Sequence, residues 1–514
     1  MGKVGTIARR TFLVGSLAVA GGVAFGVYTY RKDPANPLLV GIKPGDAALT
    51  PYVRIDQKGV TLIAPRTEMG QGAYSVQAAL LAEELDLDWD QIHVEHGPPS
   101  EAYYNGALVA DGLPFAATDQ SFMARNGRDF GYVVAKFLGL QITGGSSTVA
   151  DAFVKLRTAG ASARMALVEA AARQSGNDFK RLRTENGAVV LPDGARLSYV
   201  SLASAVANID PPQDVTLKSP AQWRFLGKPM VRVDMKKKLN GGHVFGIDRA
   251  MPGMVYATVR TNPRIGGAVK SFDDSTAKAM RGVIKVVPID GGAGVIADNS
   301  WRAFQAANAI VFDWGDPPYL KSSDEMWAKL SGSFSDDFQD SQFKNDGDSD
   351  AAIENSTSVE AEYRIPYLAH APLEPMNATV LLKDGRLDIW AATQIPLFTR
   401  KFAAQIAGLD ETAVHVHVEM AGGSFGRRLE DDYVRQAVQL AKAHPGVPIK
   451  MTFSREEDMS HDFPRPIHMG RGKGVIANGK VMTLDLAVAA PSVSASQGSR
   501  IGQSIPGADT QIVA

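Results

Sequence analysis

The stretch AGGSFGRR, residues 421–428, lies between a strand predicted over 414–418 and a helix predicted over 432–443. Its three glycines leave backbone N–H groups accessible for close contact with a ligand. The planar guanidinium groups of Arg427 and Arg428 can each donate two parallel hydrogen bonds to a phosphate. The stretch lacks the Gly-Lys-Ser/Thr ending of a Walker loop and the GxGxxG spacing of a dinucleotide fingerprint. It therefore predicts an anionic ligand of another kind.

The two arginines also have a simpler explanation. Glu430, Asp431 and Asp432 follow them directly. Surface ion pairs with these carboxylates account for the same pattern without any ligand.

Two other segments place polar side chains where a predicted strand gives way to a helix. EMGQG, residues 68–72, precedes a helix predicted over 76–87; its glycines allow close backbone approach, and Gln71 offers a donor and an acceptor. WAATQ, residues 390–394, ends a strand before the next predicted helix, where free N–H groups and the Gln394 amide favour an anion or a metal-bound oxo group. Taken singly, each segment is also explained as an ordinary turn.

The rest of the pattern mixes helices and hairpins, which predicts an α+β fold. The helical spacing of apolar residues predicts helices over 150–173, with Gly160 as an interruption, and over 301–307 and 397–407. Turn signals predict hairpins within 51–65, 186–194 and 381–390 and around 478–479. A chain of 514 residues is expected to form two or more domains.

Residues 322–355 are polar and acidic. An EF-hand loop needs acidic ligands at alternate positions before its glycine, but the positions before Gly347 hold Gln342 and Lys344. We therefore predict a solvated linker between domains over 317–358.

The composition excludes several classes of function. The net charge is −1, so nucleic acid is not an expected partner. The chain has no cysteine, which excludes disulfides and an iron–sulfur cluster held by Cys thiolates on this chain. His415 and His417 share a face of one predicted strand, and without a third ligand they favour an ordinary strand over a metal site.

Residues 1–32 have the pattern of an export signal. Arg9 and Arg10 precede an apolar run from Phe12 to about Tyr28, which resembles a bacterial twin-arginine signal. An ordinary signal peptide and an uncleaved anchor remain alternatives, because the run has roughly the minimum length for spanning a bilayer. We expect the protein in the periplasm, with anchoring to the inner membrane left open.

Together the segments resemble the molybdenum-binding subunits of the xanthine dehydrogenase and aldehyde oxidase family. A closer likeness, within this family, is to the large subunit of isoquinoline 1-oxidoreductase and its exported aldehyde dehydrogenase relatives, in which the GQG loop precedes the other two loops. Further agreement comes from LAHAPLEPMN at 368–377, SREEDMSHDFPRP at 454–466 and the start of an α/β hammerhead domain at 226–254. The resemblance implies a molybdopterin-binding domain in two parts, 33–220 and 359–514, with the hammerhead inserted over 221–316.

This resemblance also implies the cofactor, the reaction and the partners. It implies a molybdenum-pterin cofactor in its cytosine dinucleotide form, with the metal held by the pterin rather than by the protein. Cofactor contacts are expected from Gly70, Gln71, Gly72, Gln394, Gly422, Gly423, Phe425, Gly426 and Arg427. The implied activity is hydroxylation of an aldehyde or an aromatic N-heterocycle with oxygen from water. Electrons are expected to pass to a small subunit with two 2Fe–2S clusters, with a c-type cytochrome as a further acceptor.

One departure from the family pattern affects the catalytic residue. Family members carry a glutamate in a C-terminal Gly-x-Gly-Glu motif, and this motif is not found in the sequence, which ends at Ala514. We therefore assign no catalytic residue and expect the chain to be incomplete at its C-terminus. A truncated, non-catalytic cofactor-binding or scaffold subunit is the alternative.

Export is expected to depend on the paired arginines. Replacing Arg9 and Arg10 by lysine keeps the charge but removes the guanidinium geometry. The double variant should stay in the cytoplasm, as measured by cell fractionation and immunoblotting. Unchanged delivery to the periplasm would contradict the twin-arginine interpretation.

Overall fold

The computed structural model describes residues 33–113, 115, 118–340, 342 and 344–500, so the predicted signal at 1–32 lies outside the described residues. The chain divides into two compact units. Unit 1 comprises Met1–Arg249 and Gly385–Gly423, and unit 2 comprises Ala250–Asp384 and Ser424–Ala514.

Helices and strands are interspersed along the chain. The helices are α1 (Ala73–Leu85), α2 (Gly106–Asp111), α3 (Phe122–Phe137), α4 (Thr148–Ser175), α5 (Ala203–Val206), α6 (Met235–Leu239), α7 (Ser275–Ala279), α8 (Ser300–Asn308), α9 (Ser323–Ser331), α10 (Ser349–Glu354), α11 (Pro396–Ala407), α12 (Asp432–Ala443), α13 (Arg455–Ser460) and α14 (Val493–Arg500). The strands are β1 (Ala47–Thr50), β2 (Val53–Asp56), β3 (Gly59–Ala64), β4 (Ile92–His96), β5 (Arg183–Glu185), β6 (Ala188–Val190), β7 (Arg196–Ser198), β8 (Val255–Thr261), β9 (Val269–Asp273), β10 (Val283–Ile289), β11 (Gly292–Ala297), β12 (Val311–Trp314), β13 (Ser358–Ile365), β14 (Asn377–Lys383), β15 (Arg386–Ala391), β16 (Val414–Val418), β17 (Ile449–Thr452), β18 (His468–Ala477) and β19 (Lys480–Ala489).

Unit 1 contains two parallel strand pairs, each joined through a helix. β3 and β4 are parallel and are connected by α1, and β15 and β16 are parallel and are connected by α11. Both strands of such a pair end at the same edge, so the residues that follow them lie close together. In register, Ala64 pairs with His96 and Ala391 pairs with Val418. This topology positions the candidate site.

The helices α1 and α4 pack closely in the core of unit 1. Their buried side chains share one apolar cluster with β2 and β3. Gly160 lies in the middle of α4 at the contact, where an added Cβ would be 2.8 Å from the carbonyl oxygen of Leu81 and 3.2 Å from Cβ of Glu84. We expected Gly160 to interrupt this helix, and that prediction is wrong. The helix continues through Gly160, and the missing side chain permits the close approach of α1 and α4.

Unit 2 is built from three groups of strands. Five strands lie in the order β10-β11-β8-β17-β14, β12 pairs with β9, and β13, β18 and β19 form a three-stranded antiparallel sheet. The helices α7 and α8 cover β10 and β11 with a small apolar core that includes Ala277, Val295 and Ala306. The interior of this part is thus separate from the three-stranded sheet.

One face of the three-stranded sheet is exposed and apolar. Leu484, Leu486 and Val488 of β19 alternate along the strand and are exposed. They pair in register with three glycines of β18, at positions 474, 472 and 470. Because glycine has no side chain, the apolar groups of β19 receive no cover from the neighbouring strand.

Most of the predicted elements are found, and the α+β fold class is confirmed. The strand predicted over 414–418 is β16 and the helix predicted over 432–443 is α12. The predicted hairpins correspond to β2–β3, β5–β7, β14–β15 and β18–β19. The helix predicted over 76–87 instead begins at Ala73, directly after Gly72, whose φ of 87° ends the extended backbone.

Residues 317–358, predicted as a linker, contain the helices α9 and α10. The domain boundaries predicted at 220, 316 and 358 stay predictions. Within the part of the chain that the structure describes, no helix is both long enough and apolar enough to cross a membrane.

The close approach at Gly160 gives a testable prediction. Gly160→Ala adds a Cβ that contacts backbone, which cannot move aside easily, and overpacking should destabilise the protein by about 1–3 kcal/mol. Alanine otherwise favours a helix by about 1 kcal/mol over glycine, so the expected sign is opposite to helix propensity. The measurement is the free energy of unfolding in urea.

Gly112→Ala is the matched control. Gly112 has helical φ and ψ, and its added Cβ would meet only ordinary contacts at 3.5 Å. This variant should be neutral or slightly stabilised. Equal stability of the two variants would contradict the packing argument.

Candidate functional site

Four segments of unit 1 meet beyond the ends of its parallel strands. They are the loop 65–72 after β3, His96 at the end of β4, the loop 392–395 after β15, and residues 419–423 after β16. The sequence predicted the first, third and fourth of these as separate segments. The structure brings all four together through hydrogen bonds between their backbones and buried side chains.

Thr143 joins the EMGQG and ATQ segments. The backbone N–H of Thr67 donates to Oγ1 of Thr143 at 2.9 Å, and Oγ1 of Thr67 donates to the carbonyl of Thr393 at 2.7 Å. The Gln394 amide donates to the carbonyl of Thr143 at 2.6 Å, and the Thr143 N–H donates back to the carbonyl of Gln394 at 2.9 Å. All four residues are buried, so the relative position of the two segments is fixed.

Glu68 organises the loop that precedes α1. Its carboxylate is 1% exposed and accepts hydrogen bonds from the backbone N–H groups of Gly70, Gly72 and Tyr74 at 2.9, 3.1 and 2.9 Å. Arg232 donates to the same carboxylate at 2.7 Å. A buried carboxylate is stable only when it is fully hydrogen-bonded and paired, and here it takes the place of an external anion at the start of the helix.

The amide of Gln71 is also used within the loop. Its Oε1 accepts from the N–H of Met69 at 2.6 Å, and its Nε2 donates to the carbonyl of Thr67 at 2.9 Å. Contact between Gln71 and the cofactor therefore stays a prediction. Gly70 and Gly72 have φ of 108° and 87°, and nothing lies within 4 Å of the position that a Cβ would occupy at either. The loop backbone is thus open on that side.

His96 connects this loop to β16. Its Nε2 accepts the N–H of Glu68 at 3.1 Å, which leaves Nδ1 as the donor to the carbonyl of Val418 at 3.1 Å. Both bonds require a neutral ring protonated at Nδ1. Burial lowers the pKa of His96 to about 4, against smaller opposing effects of the Val418 carbonyl and Glu68.

The glycine-rich stretch 421–428 is shared between the two units, whose boundary falls after Gly423. In unit 2, Phe425 has φ of 58° and is 77% exposed, and Gly426 has φ of 107°. A large aromatic residue in the left-handed region is uncommon and strained, and such strain is concentrated at functional sites. The exposed Phe425 ring is therefore a candidate contact for a ligand.

Arg427 and Arg428 bind carboxylates of unit 2. Arg427 is fully buried and pairs through both terminal nitrogens with Asp432, each at 2.8 Å, and its Nε lies 3.2 Å from Asp462. Arg428 is also fully buried and pairs with Glu374 at 2.8 Å. The alternative of ion pairs with acidic neighbours is thus correct for Arg427, but the pair is buried rather than on the surface. A contact between Arg427 and the cofactor stays a prediction.

His370, which is partly exposed, pairs with the buried Asp462 beside this loop. Nδ1 of His370 lies 2.9 Å from Oδ1 of Asp462, and the backbone N–H of His370 donates to Oδ2 at 2.5 Å. Burial alone would raise the pKa of Asp462, but the hydrogen bonds from His370 and the charge of Arg427 lower it below its usual value. Asp462 is therefore ionised at neutral pH.

His415 and His417 both lie on β16, as predicted. Nε2 of His417 lies 2.9 Å from Oδ1 of Asp388, and its ring stacks on Trp390 with the centroids 4.8 Å apart. Across the described ranges, no group of three or more His, Asp or Glu side chains is arranged to hold a metal ion.

Part of the chain matches a known family of protein domains. Residues 334–501 match the family of molybdopterin cofactor-binding domains. Together with the relatives named next, this match confirms the resemblance to the molybdenum-binding subunits of the xanthine dehydrogenase family.

Two curated relatives cover most of the chain. It is 28% identical to isoquinoline 1-oxidoreductase subunit beta of Brevundimonas diminuta, over 89% of this chain and 60% of that protein. It is 27% identical to a membrane-bound aldehyde dehydrogenase (pyrroloquinoline-quinone) of Gluconacetobacter polyoxogenes, over 94% of this chain and 60% of that protein. The chain thus spans about three fifths of the length of either relative.

Among solved structures, quinoline 2-oxidoreductase from Pseudomonas putida 86 aligns with 51% of this chain and 39% of its own. The TM-score of this alignment is 0.41, and the sequence identity is 18%.

The sequence did not reveal four residues that hold the site together: Thr143, Glu68 as an anion, His96 and Arg232. Thr143 directly precedes Gly144-Gly145-Ser146-Ser147, a glycine pair that was a usable signal for a turn near the site. Arg232 and His96 had no such signal, because each lies far along the chain from Glu68, with which it forms a hydrogen bond.

The low pKa of His96 predicts a loss of stability in acid. The histidine is neutral in the folded protein down to about pH 4, whereas in the unfolded chain it titrates near 6.5. The unfolded state therefore binds the extra proton between pH 6.5 and 4, and stability is full above this window and falls as the pH decreases through it. His96 alone should cost about 2 kcal/mol between pH 7 and pH 5.

His96→Gln isolates this contribution. A glutamine amide can accept the N–H of Glu68 and donate to Val418 without titrating. The free energy of unfolding in urea, measured at pH 7 and pH 5, should fall less for the variant than for the wild type. Equal losses in both proteins would contradict the assigned neutral state.

Proposed function

We propose that this chain is the cofactor-binding subunit of a molybdenum hydroxylase whose substrate is an aldehyde or an aromatic N-heterocycle. The observation that carries the proposal is the molybdopterin cofactor-binding domain at 334–501. The proposed overall reaction is RH + H₂O → ROH + 2H⁺ + 2e⁻, with the oxygen taken from water. The names of the isoquinoline and aldehyde relatives support the two substrate classes.

The residues present fit a large anionic cofactor at their backbones rather than at their charged side chains. Gly70 and Gly72 leave open space beside the loop, and Gly426 has no side chain at a strained turn. We propose that these backbones, together with those of Gly422 and Gly423, would hold the pterin part of the cofactor and that the Gln394 amide would contact its molybdenum part. When bound, the cofactor, proposed in its cytosine dinucleotide form, supplies the two-electron oxidation.

This chain's own contribution is positioning. The buried contacts among Thr67, Thr143 and Gln394 hold two of the loops before any ligand arrives. Groups that are fixed in advance need no reorganisation at the moment of reaction. We assign no residue of this chain as the catalytic base.

Electrons have to leave through another protein. The chain has no cysteine for an iron–sulfur relay, so we propose a separate small subunit with two 2Fe–2S clusters, and a c-type cytochrome as a further acceptor. We also propose that the complex works in the periplasm, because Arg9 and Arg10 and the apolar run that follows have the pattern of a twin-arginine signal.

The cofactor assignment is tested by metal and pterin analysis. The protein should be purified from its native host with its partners, and molybdenum should be measured by mass spectrometry and pterin by the fluorescence of its oxidised form. About one molybdenum for each chain is expected, with dye-coupled oxidation of an aldehyde or an N-heterocycle. A quinone instead of molybdenum and pterin would contradict the proposal.

Gly426→Val tests the role of the glycine-rich loop. The branched side chain should obstruct the cofactor, so the molybdenum content should fall at least about tenfold in a protein that still folds. Gly446→Val is a control for the positive φ alone, because Gly446 has φ of 85° and nothing within 4 Å, whereas a Cβ at residue 426 would lie 3.2 Å from Nε2 of His370. Full molybdenum content in the Gly426 variant would show that this loop does not contact the cofactor.

A further inference from the structure

His370 presents one ring nitrogen to the turn at Phe425 and Gly426. A Cβ on residue 426 would lie 3.2 Å from Nε2 and 3.6 Å from Cδ2 of His370. Glycine at this position therefore leaves the edge of the imidazole uncovered. Among the described residues, the hydrogen bonds of this ring are made by Nδ1 to Asp462, and Nε2 has no partner.

The contact with Asp462 determines which ring nitrogen of His370 is the hydrogen-bond donor and which is the acceptor. The carboxylate is 2% exposed, and it faces both Nδ1 of His370 at 2.9 Å and Nε of Arg427 at 3.2 Å. An ionised carboxylate can only accept, so Nδ1 carries the ring proton. In the neutral ring, Nε2 is then a hydrogen-bond acceptor with its lone pair directed away from Asp462.

The same turn exposes an aromatic surface. Phe425 is held with φ of 58°, between a serine and Gly426, and its side chain is 77% exposed. An isolated exposed phenylalanine gains little from this arrangement, but an aromatic ligand can stack on it. The turn therefore combines one acceptor nitrogen with one aromatic face.

We propose that His370 and Phe425 form a binding subsite for a planar aromatic ligand that carries an N–H donor. The ligand class is the lactam form of a hydroxylated N-heterocycle, in which the ring nitrogen bears a proton beside a carbonyl group. Its N–H donates to Nε2 of His370, and its ring packs on Phe425. His370 contacts the ligand, and Asp462 is a positioning residue that acts through His370.

This assignment rests on the proposed function for the choice of ligand. The subsite also distinguishes the N-heterocyclic substrate from its hydroxylated product. An N-heterocycle before hydroxylation offers a lone pair at its ring nitrogen, which an acceptor at Nε2 cannot pair with, whereas the lactam offers a proton. The subsite therefore favours the hydroxylated product over the substrate.

The test compares two probes on the full protein as purified. The dissociation constants of 2-quinolone and N-methyl-2-quinolone are measured by isothermal titration calorimetry, without an electron acceptor. The two probes differ in the single donor, and a site built around an acceptor discriminates against the ligand that lacks the donor. We expect 2-quinolone to bind at least about tenfold more tightly than its N-methyl derivative.

Three variants separate the roles of the residues. His370→Ala should remove the preference for the N–H probe. Phe425→Ala is the matched control at an exposed position: it should weaken both probes by a similar factor and keep the preference. Asp462→Asn should allow the ring proton to move to Nε2, so the preference should be lost or inverted while the ring remains in place.

Two results would overturn the proposal: equal affinity of the wild type for both probes, or an unchanged preference in a folded His370→Ala protein. If His370→Ala does not fold, the wild-type comparison and Phe425→Ala still decide. Neither measurement depends on turnover. A missing N–H preference in a protein that contains molybdenum refutes the subsite alone, and a missing cofactor refutes the proposed function alone.

Discussion

A buried carboxylate must be surrounded by donors, and this requirement, met at Glu68, arranges the functional part of unit 1. Three backbone N–H groups and Arg232 bind one side chain that is almost completely removed from water. An unpaired carboxylate in this position would cost several kcal/mol, so these partners cannot be removed one at a time without large effects. The loop 68–72, the start of α1 and residue 232 are therefore fixed together, and His96 extends the same set to β16.

Unit 2 buries positive charges, which also require partners. Arg427 and Arg428 are fully buried and bind Asp432 and Glu374. These pairs hold the end of the glycine-rich stretch against the interior, so the strained backbone at Phe425 and Gly426 does not relax. Because the ion pairs of the two arginines hold the turn in place, Phe425 and Gly426 are available to contact a ligand.

Local features of the sequence were sufficient to predict most elements. β16 and α12 have the predicted bounds because apolar spacing and turn residues act within a few positions. The role of Gly160 could not be predicted, because a glycine in a helix has the same local signature whether it interrupts the helix or permits a close neighbour, and only the position of Leu81 decides. The segments of the site were predicted, but their partners Thr143, His96 and Arg232 were not, because their hydrogen bonds join residues far apart in the chain.

The three-stranded sheet of unit 2, formed by β13, β18 and β19, has a practical consequence for the behaviour of the protein in solution. Leu484, Leu486 and Val488 lie on a strand of ten residues at the edge of a sheet, with its outer row of N–H and C=O groups unpaired within that sheet. Such an edge can pair with an additional strand, and burial of the apolar row would stabilise the added strand. We therefore expect concentration of the isolated chain to promote self-association through β19.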